Sequence, residues 1–213
     1  PPAQNMVELY MARTCKWGVV RVIGGDLHLQ EADVVITPAN NRLSGREGLD
    51  AQIHKAAGDE LRQFCRDVSV EQRKLNLPPC PVTTNVVSKP YELEKRFKHI
   101  IHVVSPDCRR PNQDEARRDL LPAAYFNLFE TLKGMKGIKV IMAPPLSMGV
   151  FSYPHREGAR LTLETLLGIM DGEEDPGIKE YNIVVKERNF INNMRTVYRE
   201  SEDQLPGIDT TMV

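Results

Sequence analysis

No apolar run in this chain approaches the roughly 18 residues of a membrane-crossing helix, and no signal-peptide pattern opens it. A membrane span is therefore not expected. Charge of one sign is equally scarce, since 28 Lys and Arg stand against 29 Asp and Glu. That balance argues against the broad basic footprint of a nucleic-acid binder or a membrane-surface protein. Affinity for a phosphate ligand would then come from local backbone geometry. The four cysteines, Cys15, Cys65, Cys80 and Cys108, are scattered without CxxC spacing or a dense framework. This points to reduced thiols in the cytoplasm, with the nucleus as the alternative, rather than to disulfides or zinc ligands. Neither Gly-x-x-x-x-Gly-Lys nor Gly-x-Gly-x-x-Gly occurs, which argues against P-loop and Rossmann nucleotide sites. No metal-ligand cluster, internal repeat or low-complexity tract is visible in the sequence, so neither a metal nor a cofactor is expected. The chain begins Pro1-Pro2 without a methionine, and a piece of a longer polypeptide is the expectation.

What is present suffices for one sizeable core, because 41% of the 213 residues are hydrophobic. Apolar runs predict strands at 17–23, 33–36, 82–87, 99–104, 139–143 and 181–185, with a further strand inside 6–11. Helical spacing predicts helices at 49–65, 114–132, 155–170 and 189–199. In the second of these, Leu120, Ala123, Ala124, Leu128 and Leu132 form a buried stripe that Gly134 would end. Alternation of this kind argues for an α/β sandwich around a largely parallel sheet. An acidic Gly/Pro loop follows at 171–177.

Two loops stand out. Val34-Val35-Ile36 leads into Thr37-Pro38-Ala39-Asn40 and then Gly45-Arg46-Glu47-Gly48-Leu49-Asp50, where a helical face of Leu49, Ile53, Ala57, Leu61 and Phe64 begins. Val140-Ile141-Met142-Ala143 leads into the small-residue turn 144–154, followed by Ala159, Leu163, Leu166, Leu167 and Met170 at helical spacing. Each loop lies at the C-terminal end of a strand and opens a helix, where bare N–H groups and the helix dipole favour an anion. A pair of such loops makes the crevice a nucleotide-like ligand needs in an α/β sheet. Gly149 suits close backbone approach.

With these residues in view the chain resembles the macrodomains, a family that binds ADP-ribose. The family's opening Gly-Asp pair is matched by Gly25-Asp26-Leu27. Its Asn-Ala-Ala-Asn loop, glycines and Val-Asp-x-x-Ile-His are matched by Thr37-Pro38-Ala39-Asn40, by Gly45 and Gly48, and by Leu49-Asp50-Ala51-Gln52-Ile53-His54. Its Ser-x-Gly-Ile-Phe-Gly-x-Pro loop stands as Ser147-Met148-Gly149-Val150-Phe151-Ser152-Tyr153-Pro154, and its Ile-His-x-Val-x-Pro strand end as Ile101-His102-Val103-Val104-Ser105-Pro106. The resemblance implies a three-layer α/β/α sandwich with a mostly parallel mixed central sheet. A single module over 1–200 is expected, with a polar tail at 201–213. ADP-ribose and mono-ADP-ribosylated proteins are the implied partners, and a monomer is expected.

On that resemblance Asp26 accepts the adenine amino group, and Leu27, Ala39, Gly45, Gly48 and Leu49 line the ligand. Asn40 sits beside the distal ribose. Asp50 orients or deprotonates a water attacking the anomeric carbon, or holds the ribose for a phosphate-bound water to do so, which makes Asn40 and Asp50 the candidate catalytic pair. Ser147, Gly149, Val150 and Phe151 act mainly through their backbone amides, with Phe151 near the distal ribose and Met148 also among the ligand-binding residues. Plainer readings stand beside these: Asp26 and Asn40 as turn formers, and Asp50 as a carboxylate favoured by the helix dipole. His54 and His102 read as structural histidines, and His155 as a helix-start residue. Where some members stack an aromatic on adenine this chain has Lys186, with Phe190 as the alternative contact.

Departures from the pattern bear on the chemistry. Thr37 replaces an asparagine, Pro38 removes a backbone donor, and Ser152 replaces a glycine. Gly45-Arg46-Glu47-Gly48 places two side chains where active members carry a glycine run. Arg46 either pairs with phosphate or points into solvent. The expected reaction is release of mono-ADP-ribose from modified proteins. A non-catalytic reader and an ADP-ribose 1″-phosphate phosphatase are the alternatives.

Overall fold

The computed structural model describes residues 8–109 and 119–200. The strands are β1 (Glu8–Thr14), β2 (Val19–Gly24), β3 (Val34–Ala39), β4 (Asn85–Ser88), β5 (His99–Val104), β6 (Val140–Ala143) and β7 (Glu180–Val185). They form one sheet in the order β1-β2-β7-β6-β3-β5-β4. Its inner strands run parallel, and β1 and β4 are antiparallel edges. The helices are α1 (Gly48–Ala57), α2 (Asp59–Lys74), α3 (Leu120–Lys133), α4 (His155–Met170) and α5 (Arg188–Glu200).

Alternation along the strands decides the layers, because successive side chains point to opposite faces. Val35 of β3 packs with Ile53, Ala57 and Leu61 of α1 and α2. Its neighbours Val34 and Ile36 join Leu128, Leu166 and Met194 of α3, α4 and α5. A strand of unbroken apolar residues is thus buried on both faces, as a parallel sheet requires. The outcome is the three-layer α/β/α sandwich with a mixed, mostly parallel sheet that the sequence predicts. Since β2, β3, β6 and β7 run the same way, the loops after them gather at one end of the sheet.

Three elements differ from expectation for physical reasons. The helix expected at 49–65 is two helices, broken at Gly58, which takes φ 90° and ψ −177°, a region essentially reserved for glycine. Periodicity hides the break because Ile53, Ala57 and Leu61 still share one buried cluster. The strand expected at 33–36 runs on through Thr37, Pro38 and Ala39, since pairing with β5 continues to Ala39 after pairing with β6 has ended at Val35. Pro38 is tolerated there because that stretch of β3 has a neighbour on one side only. The strand expected at 82–87 begins only at Asn85, after Thr83 turns with φ 74° and Thr84 donates its hydroxyl to the Pro81 carbonyl at 2.6 Å. β1 reaches Thr14, beyond the 6–11 window, α2 runs on to Lys74, well past the expected end at 65, α3 begins at Leu120, and the remaining boundaries move by no more than two residues. The expectations at 6–7, 114–118 and the 201–213 tail lie outside the described residues. Among the described residues no helix is long and apolar enough to cross a membrane.

Candidate functional site

The gathered strand-end loops enclose a cleft of about 400 Å³, within the size range of small-molecule and cofactor sites. Asp26 and Leu27 follow β2, Asn40 follows β3, and Gly48, Leu49 and Asp50 open α1. Ser147, Met148, Gly149, Val150 and Phe151 follow β6, so eleven of the thirteen residues predicted from sequence line this one cleft. Ala39 and Gly45 do not. Ala39 is fully buried in β3. Gly45 turns with φ +64° directly onto His54, where a Cβ would lie 2.5 Å from the ring Nδ1. Its role is to let the loop close on that imidazole, which no larger residue permits.

Asp50 forms the floor. It is 3% exposed, its Oδ1 accepts the Thr37 hydroxyl at 2.6 Å, and the same oxygen lies 3.5 Å from Nε2 of His54 one helical turn on. Burial pushes its pKa up to about 6 against the Thr37 hydrogen bond, and the Glu47 charge adds to the rise. Burial, helped by the Arg62 charge, holds the His54 imidazole down at about 4. Near neutral pH the pair is therefore a carboxylate beside a neutral imidazole.

Behind this floor His54, Cys65 and His102 bring donor atoms within 4.8 Å of one another, a candidate metal-ligating group that three separate elements assemble and no linear spacing reveals. Burial holds the Cys65 thiol up at about 12 and the His102 imidazole down at about 3, so all three are neutral near pH 7. His102 also stacks on Phe64, with its Nε2 3.0 Å from the Ser88 hydroxyl. In this state the trio packs as part of the interior.

The two loops are self-supporting. Asn40 commits its amide to its own turn: Oδ1 accepts from the Arg42 and Ser44 backbone at 3.2 and 3.1 Å, and Nδ2 donates to Ser44 Oγ at 2.6 Å. The buried Ser147 hydroxyl donates to the Pro106 carbonyl at 2.7 Å, an arrangement that holds the loop rather than freeing a nucleophile. His155 Nε2 lies 3.0 Å from the Met148 carbonyl and ties the loop to the start of α4. A Cβ on Gly48 would stand 3.0 Å from Cγ2 of Val150, so the loops nearly meet across the cleft.

Folding also brings in residues that sequence reasoning missed. Arg109 grips both carboxylate oxygens of Asp107, reaches Glu47 Oε1 at 3.4 Å and lies 5.5 Å from the Phe151 ring centroid. It joins the two loops at the mouth, and no local signal marks it. Arg46, by contrast, is exposed and outside the lining. At the far end Lys186 pairs with Asp26 Oδ1, over a wall that includes the buried Phe190.

Comparison with known proteins accords with this geometry. A Macro domain family model matches residues 36–162. An O-acetyl-ADP-ribose deacetylase of Cronobacter sakazakii is 30% identical over 190 residues, 89% of this chain and 98% of that one. A macro domain-containing protein of Listeria monocytogenes is 30% identical over 165 residues, 78% of this chain and 88% of that one. Among solved structures, the Oceanobacillus iheyensis macrodomain with ADP has a TM-score of 0.78 at 25% identity, covering 92% of this chain and 99% of that one. A Trypanosoma brucei macrodomain shares the fold at a TM-score of 0.67 and 20% identity, covering 83% of this chain and 68% of that one. Because the family match runs from β3 into α4 and so takes in both loops of the cleft, the chain belongs to the macro domain family.

Proposed function

We propose that this chain binds ADP-ribose in the cleft and hydrolyses mono-ADP-ribose from modified proteins. The observation that carries the reading is a desolvated carboxylate, Asp50, on the floor of a cleft walled by two helix-opening loops. The diphosphate lies between the Gly48 segment and the 147–151 loop, where N–H groups at the start of α1 favour negative charge. Adenine lies toward Asp26 and Phe190, and the distal ribose toward Asp50. With a pKa of about 6, Asp50 is ionised at neutral pH yet a stronger base than an ordinary carboxylate. It takes a proton from the water whose oxygen bonds to the anomeric carbon, as the bond from that carbon to the modified side chain breaks. The relative named for deacetylating O-acetyl-ADP-ribose supports hydrolysis at that ribose. Both reactions consume water, and from an acidic side chain both release a carboxylate.

A reader that docks on mono-ADP-ribosylated partners is the second reading. It is favoured by the engagement of Asn40 with Ser44 and by the Glu47–Arg109 contact at the mouth. Turnover separates the two. Wild-type protein should release ADP-ribose from acidic-linked modified protein. Asp50→Ala should keep ADP-ribose affinity within several-fold by calorimetry while losing on the order of a hundredfold or more in rate. Binding without release from acidic and serine linkages would reject the hydrolase and leave the reader.

A further inference from the structure

We infer that the base end of this cleft accepts 6-oxopurines as well as adenine, so that its ligand class is purine nucleoside diphosphate riboses rather than ADP-ribose alone. The inference rests on the ADP-ribose reading of the cleft, and Lys186 carries it. β2 and β7 are neighbouring parallel strands with Gly24 opposite Val185. The residues just beyond them, Asp26 and Lys186, therefore leave the sheet together, and both line the cleft. Lys186 Nζ pairs with Asp26 Oδ1, and the two side chains keep 61% and 33% of their exposure. Exposed ion pairs of this kind are weak, so a ligand can exchange with this one without stranding a buried charge. The Asp26 carbonyl accepts from Leu29 N–H and Gln30 Nε2, so the carboxylate is offered from a fixed turn.

A carboxylate only accepts and an ammonium only donates. Adenine presents a 6-amino donor beside the N1 acceptor, whereas hypoxanthine presents a 6-oxo acceptor beside an N1–H donor. Asp26 alone would meet the 6-oxo group with lone pairs facing lone pairs. Together the two residues match either edge: Asp26 on the amine with Lys186 on N1, or Lys186 on the 6-oxo group with Asp26 on N1–H. A site with one fixed polar partner rejects an analogue that cannot pair with it by large factors, because that partner is left unsatisfied. A pair of both signs removes the basis for such rejection.

Calorimetry with ADP-ribose and inosine diphosphate ribose tests this on the wild-type protein. The two dissociation constants should lie within about twentyfold, well short of the discrimination a single fixed acceptor imposes. Lys186→Met keeps an unbranched side chain one atom shorter and removes the charge. It should weaken the hypoxanthine ligand by about tenfold more than it weakens ADP-ribose, which itself loses the donor to N1, so the ratio of the two dissociation constants is the readout. Wild-type preference for ADP-ribose beyond about twentyfold, or a ratio unchanged in Lys186→Met, overturns the inference. Protein that binds neither ligand overturns instead the ADP-ribose reading beneath it.

Discussion

A carboxylate that is 3% exposed, with its pKa pushed up to about 6, opposes folding whenever it is ionised. Unfolded Asp50 loses its proton near the ordinary value of about 3.9, and the folded chain holds it until about pH 6. Between those values folding takes up a proton, so stability falls as pH rises, and above pH 6 the full penalty applies. Two pKa units correspond to roughly 2–3 kcal/mol. Asp50→Asn removes the charge and leaves an oxygen for the Thr37 hydroxyl. It should raise Tm at pH 8 and leave it nearly unchanged at pH 4, read by thermal unfolding at both values; an unchanged Tm at pH 8 would contradict the burial argument. A polar group kept against stability is characteristic of sites rather than cores. Asp50 was legible in the sequence only through the macrodomain resemblance, since its own pattern reads as a carboxylate favoured by the dipole at a helix start. The Asp26–Lys186 pair and the Arg109 contact to Glu47 were not, since each is made only when distant strand ends converge.

At the scale of elements, amphipathic spacing identified strands and helices well and located their ends poorly. Spacing reports which face is buried, and α1 and α2 bury the same face on either side of Gly58. The break was written in a different signal, a glycine followed by Asp59 and Glu60, the acidic first turn of a new helix. That glycine is the structural requirement. A Cβ there would lie 2.7 Å from Glu92 Cδ, a flexible side chain that can withdraw, so most of the cost of Gly58→Ala is backbone. A loss of about 1–3 kcal/mol is expected in urea unfolding. Gly137 serves as the control, with φ +74° and nothing within 4 Å of a Cβ, and Gly137→Ala should cost about 1 kcal/mol. Equal losses at the two positions would show that the Gly58 conformation is not the determinant of the helix break.

Across the whole molecule, the same interior that holds Asp50 also sets how the fold meets acid. His54 and His102 are held neutral by burial, with pKa values of about 4 and 3, while unfolded histidine protonates near about 6.5. Unfolding below that value takes up two protons that the folded chain refuses, so this stability is complete above pH 6.5 and is lost as pH falls. Asp50 runs the other way between about 3.9 and 6 and offsets one of the two. Each proton changes the unfolding free energy by about 1.4 kcal/mol per pH unit, so between pH 5 and 6 the wild-type slope should be near that of one proton. His102→Gln removes one titrating group from the balance. Whatever its effect on absolute stability, it should bring the slope close to zero, with His54 and Asp50 cancelling. Urea unfolding at pH 5.0, 5.5 and 6.0 reads the slope directly. A variant slope equal to the wild-type value would mean that His102 takes up a proton in the folded state, and that the layer formed by α1, α2 and β5 is not the acid-sensitive part of the fold.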